Sequence, residues 1–258
     1  MLIFIPITRA DLQFGVPLAR HIVNLGGIKR HDVVLFYSGV EAMKVADEME
    51  DILAHQCGIL KKVDSENKDE RGWPMSANTM FFLSARWVER SGYKGPWYFF
   101  ELDSTPMRSG WADALQDEYL SAGRPFMGVK QGNIWTSPEG VRTADGGYHM
   151  VGTGIYPAPL SPHSTLWRHL GTVSFDVFLM HETVPFMHHT DLIQHNWCSQ
   201  NYRKEDGKII SDPTKGHEDS GISLPICPKT MVLHGCKDLS LLKLFKRTTK
   251  SDSSSQDG

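Results

Sequence analysis

Short apolar runs alternate with amphipathic segments along the first half of the chain. Buried β-strands are predicted where apolar residues follow one another without interruption, at Leu2–Ile7, Val33–Tyr37, Trp97–Phe100 and, less strongly, at residues 59–63 and 125–129. Helices are predicted where apolar residues recur every three or four positions, at residues 12–25, 41–55, 76–91 and 110–122. Strands that alternate with such helices are typical of a largely parallel sheet covered by helices on both faces. The pattern therefore predicts an α/β fold.

The pattern changes after residue 129. Residues 130–163 are rich in Gly, Pro, Thr and Tyr, which favours hairpins and loops. The remaining elements are predicted as two or three short helices within 164–202, a mobile loop at 203–228, a strand at Thr230–Leu233 and a short helix at 238–245. Residues 251–258 contain no apolar side chain and are predicted to be a disordered tail.

Composition narrows the class of protein. A chain of 258 residues with 40% hydrophobic residues can bury one sizeable core. Its 27 basic and 30 acidic side chains give a formal charge of −3, which argues against a protein that binds nucleic acid over its whole surface. No run reaches the roughly 20 apolar residues of a membrane span, and the first residues do not resemble a signal peptide. Four cysteines without a CxxC pair fit reduced thiols, so we expect a cytoplasmic protein.

Polar residues follow the predicted strands at their carboxyl ends, where open α/β sheets bind ligands. Thr8 and Arg9 follow the first strand, Ser38 follows the second, and Glu101 and Asp103 follow the aromatic strand. Two carboxylates beside so much apolar surface need a compensating positive charge. Mn²⁺ or Mg²⁺ would provide it, because these ions prefer carboxylate oxygens. The alternative is that Asp103 only caps the turn that follows and Glu101 pairs with an arginine.

A second polar cluster, His234-Gly235-Cys236-Lys237, follows the last predicted strand. His234 can bind a metal ion, Gly235 allows the backbone to approach a ligand closely, and Lys237 can meet a phosphate. These residues match the requirements of a metal-bound diphosphate. The alternative is that His234 is a partly buried, hydrogen-bonded histidine without a ligand.

The order of these motifs resembles the GT-A fold of nucleotide-sugar glycosyltransferases. The run Glu101–Leu115, with Glu118-Tyr119 and Phe126–Gly128, is similar to small glycosyltransferase-like proteins of phage and bacterial genomes. The resemblance implies a single GT-A-like domain over residues 1–250. Its nucleotide-sugar half would comprise residues 1–129, and residues 130–240 would supply the acceptor half and the closing metal and phosphate motif. The His-Gly-x-Lys piece is shorter than the HGxxKPW form of some retaining families, so it leaves inversion or retention open.

The resemblance assigns roles to individual residues. Asp103 would be the principal ligand of Mn²⁺ or Mg²⁺, and His234 the ligand from the closing motif. Glu101 stands in the first acidic position of the DxD motif, where the family usually has Asp, and would contact the ribose or the metal. Lys237 would contact the diphosphate. Further donor contacts are implied for Pro6, Thr8, Arg9, Ser38 and Asn78.

An inverting reaction needs a carboxylate that takes the proton from the acceptor hydroxyl. Asp176 is the favoured candidate because it follows a loop and opens an apolar segment, and Glu182 is the other. For each, a helix cap or a surface ion pair is the alternative interpretation.

The resemblance suggests that a hydroxymethylated pyrimidine in phage DNA accepts the sugar, with a glycan or a small molecule as alternatives. Such DNA would meet the basic stretches at residues 28–30, 61–62 and 243–250. No feature of the sequence indicates the oligomeric state.

The sequence therefore predicts a metal-dependent glycosyltransferase that uses a nucleoside-diphosphate sugar, with a UDP-sugar as the expected donor. Two alternatives remain open. One is a GT-A-like module that binds a nucleotide or glycan without catalysis. The other is a nucleotidyltransferase, which would be expected to carry a glycine-rich loop after the first strand, where this chain has Thr8-Arg9-Ala10-Asp11.

Overall fold

The first hundred residues fold into the alternating strands and helices that their hydrophobic pattern predicts. The computed structural model describes residues 1–67, 71, 74–136, 142–160, 174–214 and 225–251, without the side chains of 133–136, 142–146, 197–198 and 247–251. The elements of the first part are β1 (Leu2–Ile7), α1 (Leu12–Asn24), β2 (Asp32–Tyr37), α2 (Gly39–Leu53), β3 (Leu60–Asp64), α3 (Met75–Arg90) and β4 (Trp97–Phe99). Residues 252–258 of the predicted disordered tail and part of the predicted loop at 203–228 lie outside the described residues.

The described residues of the second part of the chain form more strands than helices. Its elements are β5 (Thr105–Pro106), α4 (Trp111–Ala122), β6 (Phe126–Gly128), β7 (Lys130–Thr136), β8 (Arg142–Met150), β9 (Gly154–Tyr156), α5 (Phe175–Phe178), α6 (Met180–Thr183), β10 (Met187–His189), β11 (Ile193–Glu205), β12 (Lys208–Pro213), β13 (Val232–Cys236) and α7 (Ser240–Ser251). None of the described helices combines the length and hydrophobicity that crossing a bilayer requires.

The central sheet has seven strands in the order β10-β6-β9-β4-β1-β2-β3. Its neighbours pair in parallel except β9, which runs antiparallel to β4 and β6. Strand β1 is buried on both faces: Ile3, Ile5 and Ile7 pack with α1 and α2, whereas Leu2 and Phe4 pack with α3. This two-sided burial explains the unbroken apolar run. The predicted α/β fold with a mainly parallel sheet and flanking helices is confirmed.

A smaller sheet has four strands in the order β12-β11-β13-β5. Three of these strands come from the last part of the chain. The prediction of short helices up to residue 202 is correct for α5 and α6 but wrong for β10 and β11. Strand β10 pairs with β6, and β11 pairs with both β12 and β13, so long-range hydrogen bonding overrides the weak local pattern.

The predicted loop at 203–228 is also wrong for β12. Residues Asp206 and Gly207, with φ of 48° and 76°, turn the chain between β11 and β12. An Asp-Gly pair between two strands is a common hairpin signal.

Candidate metal and donor site

Two strand pairings bring distant acidic and basic residues to one place. Glu101 and Asp103 follow β4, and the backbone N–H of Ser104 donates to the carbonyl of Glu101 to close a turn. Strand β5 then pairs antiparallel with β13, so that Thr105 lies opposite Leu233. The backbone N–H of Cys236 also donates to the carbonyl of Asp103 at 3.0 Å. These contacts place the turn after β4 beside His234.

The three predicted metal ligands lie together. His234 Nε2 is 2.9 Å from Glu101 Oε2 and 3.2 Å from Asp103 Oδ1. One ligand atom from each residue lies within 4.8 Å of the others. The side chains of Asp103 and His234 are only 6% and 9% exposed, so the cluster is largely shielded from water. The structure thus brings together residues that are far apart in the sequence.

Lys237, the residue after β13, completes this cluster. Its Nζ lies 2.5 Å from Asp103 Oδ2, and its side chain is 39% exposed. Gly235 has a φ of 93°, a left-handed conformation that glycine adopts at no steric cost. The ammonium contacts Asp103, while part of the Lys237 side chain is exposed to solvent.

Mutual attraction outweighs burial in this cluster. Burial alone would raise the pKa of Asp103, but His234 and Lys237 hold it well below its usual value. Burial alone would lower the pKa of His234, but Asp103 and Glu101 raise it to about 10. Two carboxylates and two cationic groups thus balance one another at this point of the fold.

The donor set fits a hard divalent cation. Two carboxylates and one imidazole, with no thiolate, suit Mn²⁺ or Mg²⁺. Three protein ligands leave coordination positions for phosphate oxygens or water, as is usual for these ions. Within the described part of the chain, this is the only cluster of three or more potential ligands. Glu101, Asp103 and His234 are therefore the residues that would hold the ion.

Two further side chains support this cluster, and neither belongs to a motif that the sequence reveals. Thr153 is fully buried, and its hydroxyl donates to Glu101 Oε2 at 2.8 Å. His195 lies opposite His234 in the parallel pair of β11 and β13, and their Nδ1 atoms are 2.9 Å apart. Burial and the neighbouring His234 both lower the pKa of His195 well below its usual value, so His195 is neutral. Only strand register reveals these contacts.

Asp11 is a third acidic residue near the cluster. It occupies the N-cap position of α1, but its side chain makes no capping hydrogen bond. Its carboxylate instead accepts a hydrogen bond from the Thr8 hydroxyl at 3.3 Å. Burial and the charges of Asp103 and Glu101 raise its pKa to about 6, whereas Lys237 opposes the rise. Asp11 therefore interacts electrostatically with the cluster.

The predicted donor-binding residues lie in several environments. Thr8 and Ser38 follow the parallel strands β1 and β2 and so lie at the same edge of the sheet. Ser38 donates to the carbonyl of Asn67 at 2.5 Å. The side chain of Arg9 is 88% exposed, and its Nε lies 3.5 Å from Glu41 Oε2. Pro6 is buried within β1.

Asn78 lies on α3, away from these loop ends in the sequence. It is buried, and its Oδ1 accepts from the backbone N–H of Phe175 at 2.6 Å. This bond fixes the start of α5. Contact of Asn78 with a donor stays a prediction, as do the donor contacts of Pro6, Thr8, Arg9 and Ser38.

The two candidate bases lie on consecutive short helices. Asp176 on α5 accepts hydrogen bonds from the Ser174 hydroxyl at 2.6 Å and from the Val177 N–H at 2.9 Å. Its Oδ2 lies 3.8 Å from Nε2 of the buried His149. Glu182 is half-buried on α6. Both residues are partly buried, and the role of either residue as a base stays a prediction.

Comparison with known proteins identifies the fold. No protein-family model and no curated protein sequence matches the chain. Among solved structures, the apo form of mouse xyloside xylosyltransferase 1 is similar with a TM-score of 0.53 and 14% identity, over 90% of this chain and 96% of that one. An active-site mutant of LgtC is similar with a TM-score of 0.52 and 10% identity, over 97% and 96% of the two chains.

A third solved structure extends the comparison. The apo structure of the bifunctional glycosyltransferase WbbM is similar with a TM-score of 0.51 and 11% identity, over 91% of this chain and 45% of that one. These likenesses show that the chain has the GT-A fold of glycosyltransferases.

Proposed function

We propose that this chain is a metal-dependent glycosyltransferase that moves a sugar from a nucleoside-diphosphate sugar, of the UDP-sugar class, to an acceptor hydroxyl. The observation that carries the proposal is the convergence of Glu101, Asp103, His234 and Lys237 at one edge of a GT-A sheet. This edge is the carboxyl end of β4 and its parallel neighbour β1. Open α/β sheets bind their ligands at that edge.

The cluster provides the charges that this reaction requires. Cleavage of a sugar–phosphate bond leaves a nucleoside diphosphate with additional negative charge. Glu101, Asp103 and His234 would hold Mn²⁺ or Mg²⁺, which supplies positive charge beside that leaving group. Lys237 supplies a further positive charge from its partly exposed ammonium. Thr8, Arg9 and Ser38 would contact the nucleoside, with Pro6 shaping the same strand end and Asn78 contributing from α3.

Asp176 is the proposed base for an inverting transfer. Its carboxylate would take the proton from the acceptor hydroxyl as the sugar is transferred. The neighbouring His149 and Ser174 keep the side chain oriented, because both lie within 4 Å of its oxygens. Glu182, one short helix later, is the second candidate.

The proposed acceptor is a hydroxymethylated pyrimidine in DNA. The resemblance to small phage and bacterial glycosyltransferase-like proteins supports this class. Lys243 and Lys246 on α7 are exposed and can approach phosphates. A glycan and a small molecule are the competing acceptors.

The proposed location is the cytoplasm, where cysteines stay reduced. Cys57, Cys227 and Cys236 are free, which fits this location.

Release of UDP from UDP-glucose in the presence of Mn²⁺ tests the proposed activity. The wild-type chain is expected to release UDP, and Asp103→Ala to lose the activity by about 100-fold or more, since it removes charge stabilisation in the transition state. The exposed carboxylate of Asp191 offers a matched control, because Asp191→Ala leaves the cluster intact. Tight nucleotide binding without turnover, across several UDP-sugars and acceptors, would instead identify a binding module.

Mass spectrometry of the acceptor tests its chemical class. DNA that contains hydroxymethylcytosine is expected to gain the mass of one hexose after incubation with UDP-glucose and Mn²⁺. The same DNA without the hydroxymethyl group is the matched control, because it lacks the hydroxyl that the reaction needs. A mass gain on glycan or small-molecule acceptors alone would exclude DNA as the acceptor.

A further inference from the structure

A second histidine lies directly behind the candidate ligand His234. His195 on β11 and His234 on β13 are paired positions of two parallel strands. Their Nδ1 atoms are 2.9 Å apart, and their rings are tilted by 40°. Nε2 on the other side of the His234 ring faces Glu101 and Asp103. The ring of His234 therefore connects His195 to the carboxylate cluster.

A hydrogen bond between two Nδ1 atoms needs one donor and one acceptor. A neutral imidazole that offers the lone pair of Nε2 to a cation carries its hydrogen on Nδ1. In that state His234 donates through Nδ1–H and His195 Nδ1 accepts, while His195 keeps its own hydrogen on Nε2. The 2.9 Å contact selects this pair of tautomers whenever His234 acts as a ligand.

We propose that His195 is a positioning residue that accepts the Nδ1–H of His234 and thereby fixes its tautomer and ring orientation for binding a divalent cation. The inference rests on the proposed function and deepens it, because it names a residue on which the metal site depends. Partners of this kind commonly change metal affinity by about 10- to 100-fold.

The identity of this partner suits the charge of the cluster. A carboxylate often accepts the second N–H of a metal-bound histidine. Here it would add another negative charge beside Glu101, Asp103 and the nearby Asp11. An imidazole provides an acceptor atom without that charge. The strand register holds it in place, because position 195 is the last regular pair before the irregularity between His195 and Ser199.

Binding of Mn²⁺ alone to the full chain, measured by calorimetry and by electron paramagnetic resonance of the free ion, tests the inference. Two variants of nearly equal shape distinguish the loss of the hydrogen-bond acceptor from the loss of side-chain volume. His195→Asn places Oδ1 where Nδ1 lies, and His195→Leu has no acceptor. We expect His195→Leu to weaken Mn²⁺ binding by about 10- to 100-fold and His195→Asn to stay within about threefold of the wild type. His188→Leu is the matched control, because His188 on β10 of the central sheet is hydrogen-bonded to Glu118 on α4.

Nitrogen NMR of the Mg²⁺-bound protein gives an independent readout. We expect the hydrogen of His234 on Nδ1, and a hydrogen on Nε2 would overturn the inference. Equal Mn²⁺ affinity in the wild type and both variants, or equal loss in both, would also overturn it. If circular dichroism shows that His195→Leu is unfolded, His195→Gln takes its place, because its amide reaches the position of Nε2 instead. Failure of the wild type to bind Mn²⁺ would overturn the proposed function itself.

Discussion

The hydroxyl of Thr153 donates a 2.8 Å hydrogen bond to Glu101 Oε2, although 52 positions separate the two residues. The same carboxylate oxygen lies 2.9 Å from His234 Nε2. Thr153 is completely buried between Gly152 and the start of β9, so its hydroxyl is held in place. The neutral hydroxyl of Thr153 thus orients the carboxylate of Glu101.

Replacing Thr153 by valine keeps its shape and removes this donor. Hydrogen bonds to charged groups contribute roughly 1.5–3 kcal/mol, so we expect Mn²⁺ affinity to fall by about tenfold or more. Calorimetric titration with Mn²⁺ measures the change. Thr183→Val is the matched control, because that buried hydroxyl donates to the carbonyl of Leu179 within its own helical segment. Wild-type affinity in Thr153→Val would show that Glu101 does not depend on this bond.

Replacing Lys237 by methionine is expected to have opposite effects on two ligands. The ammonium neutralises Asp103, so its removal leaves that carboxylate free and should tighten the binding of Mn²⁺ alone by about tenfold, on the basis of the attraction between close charges. Binding of UDP at saturating Mn²⁺ should weaken by about tenfold, because a phosphate contact is lost.

Calorimetry with Mn²⁺ first and UDP second separates these two effects. Lys44→Met on the exposed face of α2 is the matched control. Loss of both affinities together would mean that Lys237 mainly holds the fold.

Asp11 predicts a pH-dependent change in stability. Its pKa is raised from an ordinary value of 3.8 to about 6 in the fold, so folding favours the protonated carboxyl. The resulting cost is absent below pH 3.8 and complete above pH 6, where it amounts to at most about 3 kcal/mol. Asp11→Asn should therefore be more stable than the wild type at pH 7 without metal, and this gain should be much smaller at pH 4.

Urea unfolding at the two pH values gives this difference directly. Asp191→Asn, an exposed carboxylate, provides the comparison and should show no such dependence on pH. An equal gain for Asp11→Asn at pH 4 and pH 7 would contradict the raised pKa.

The first half of the fold could be predicted because its signals are local. The apolar runs of β1 and β2 and the amphipathic pattern of α1 each lie within a dozen residues, and each matches the structure closely. Strand β11 was missed because its stability comes from β12 and β13 rather than from its own pattern. The turn at Asp206 and Gly207 did carry a readable hairpin signal.

In the candidate site, too, some residues have a local signal in the sequence and others do not. Asp103 and His234 could be proposed because each follows an apolar run of the sequence, and ligand groups gather at strand ends. Thr153 and His195 carry no such mark. Each acts through a partner that only the pairing of strands places beside it, so no spacing in the sequence indicates them.

The ion pair between Lys237 and Asp103 joins two points that are 134 positions apart along the chain. Joining two such distant positions lowers the conformational entropy of the chain, and unfolding restores that entropy. A ligand that binds only the joined arrangement shifts the balance toward the native chain. The resistance of this chain to proteases should therefore increase with the concentration of any ligand that binds only this arrangement.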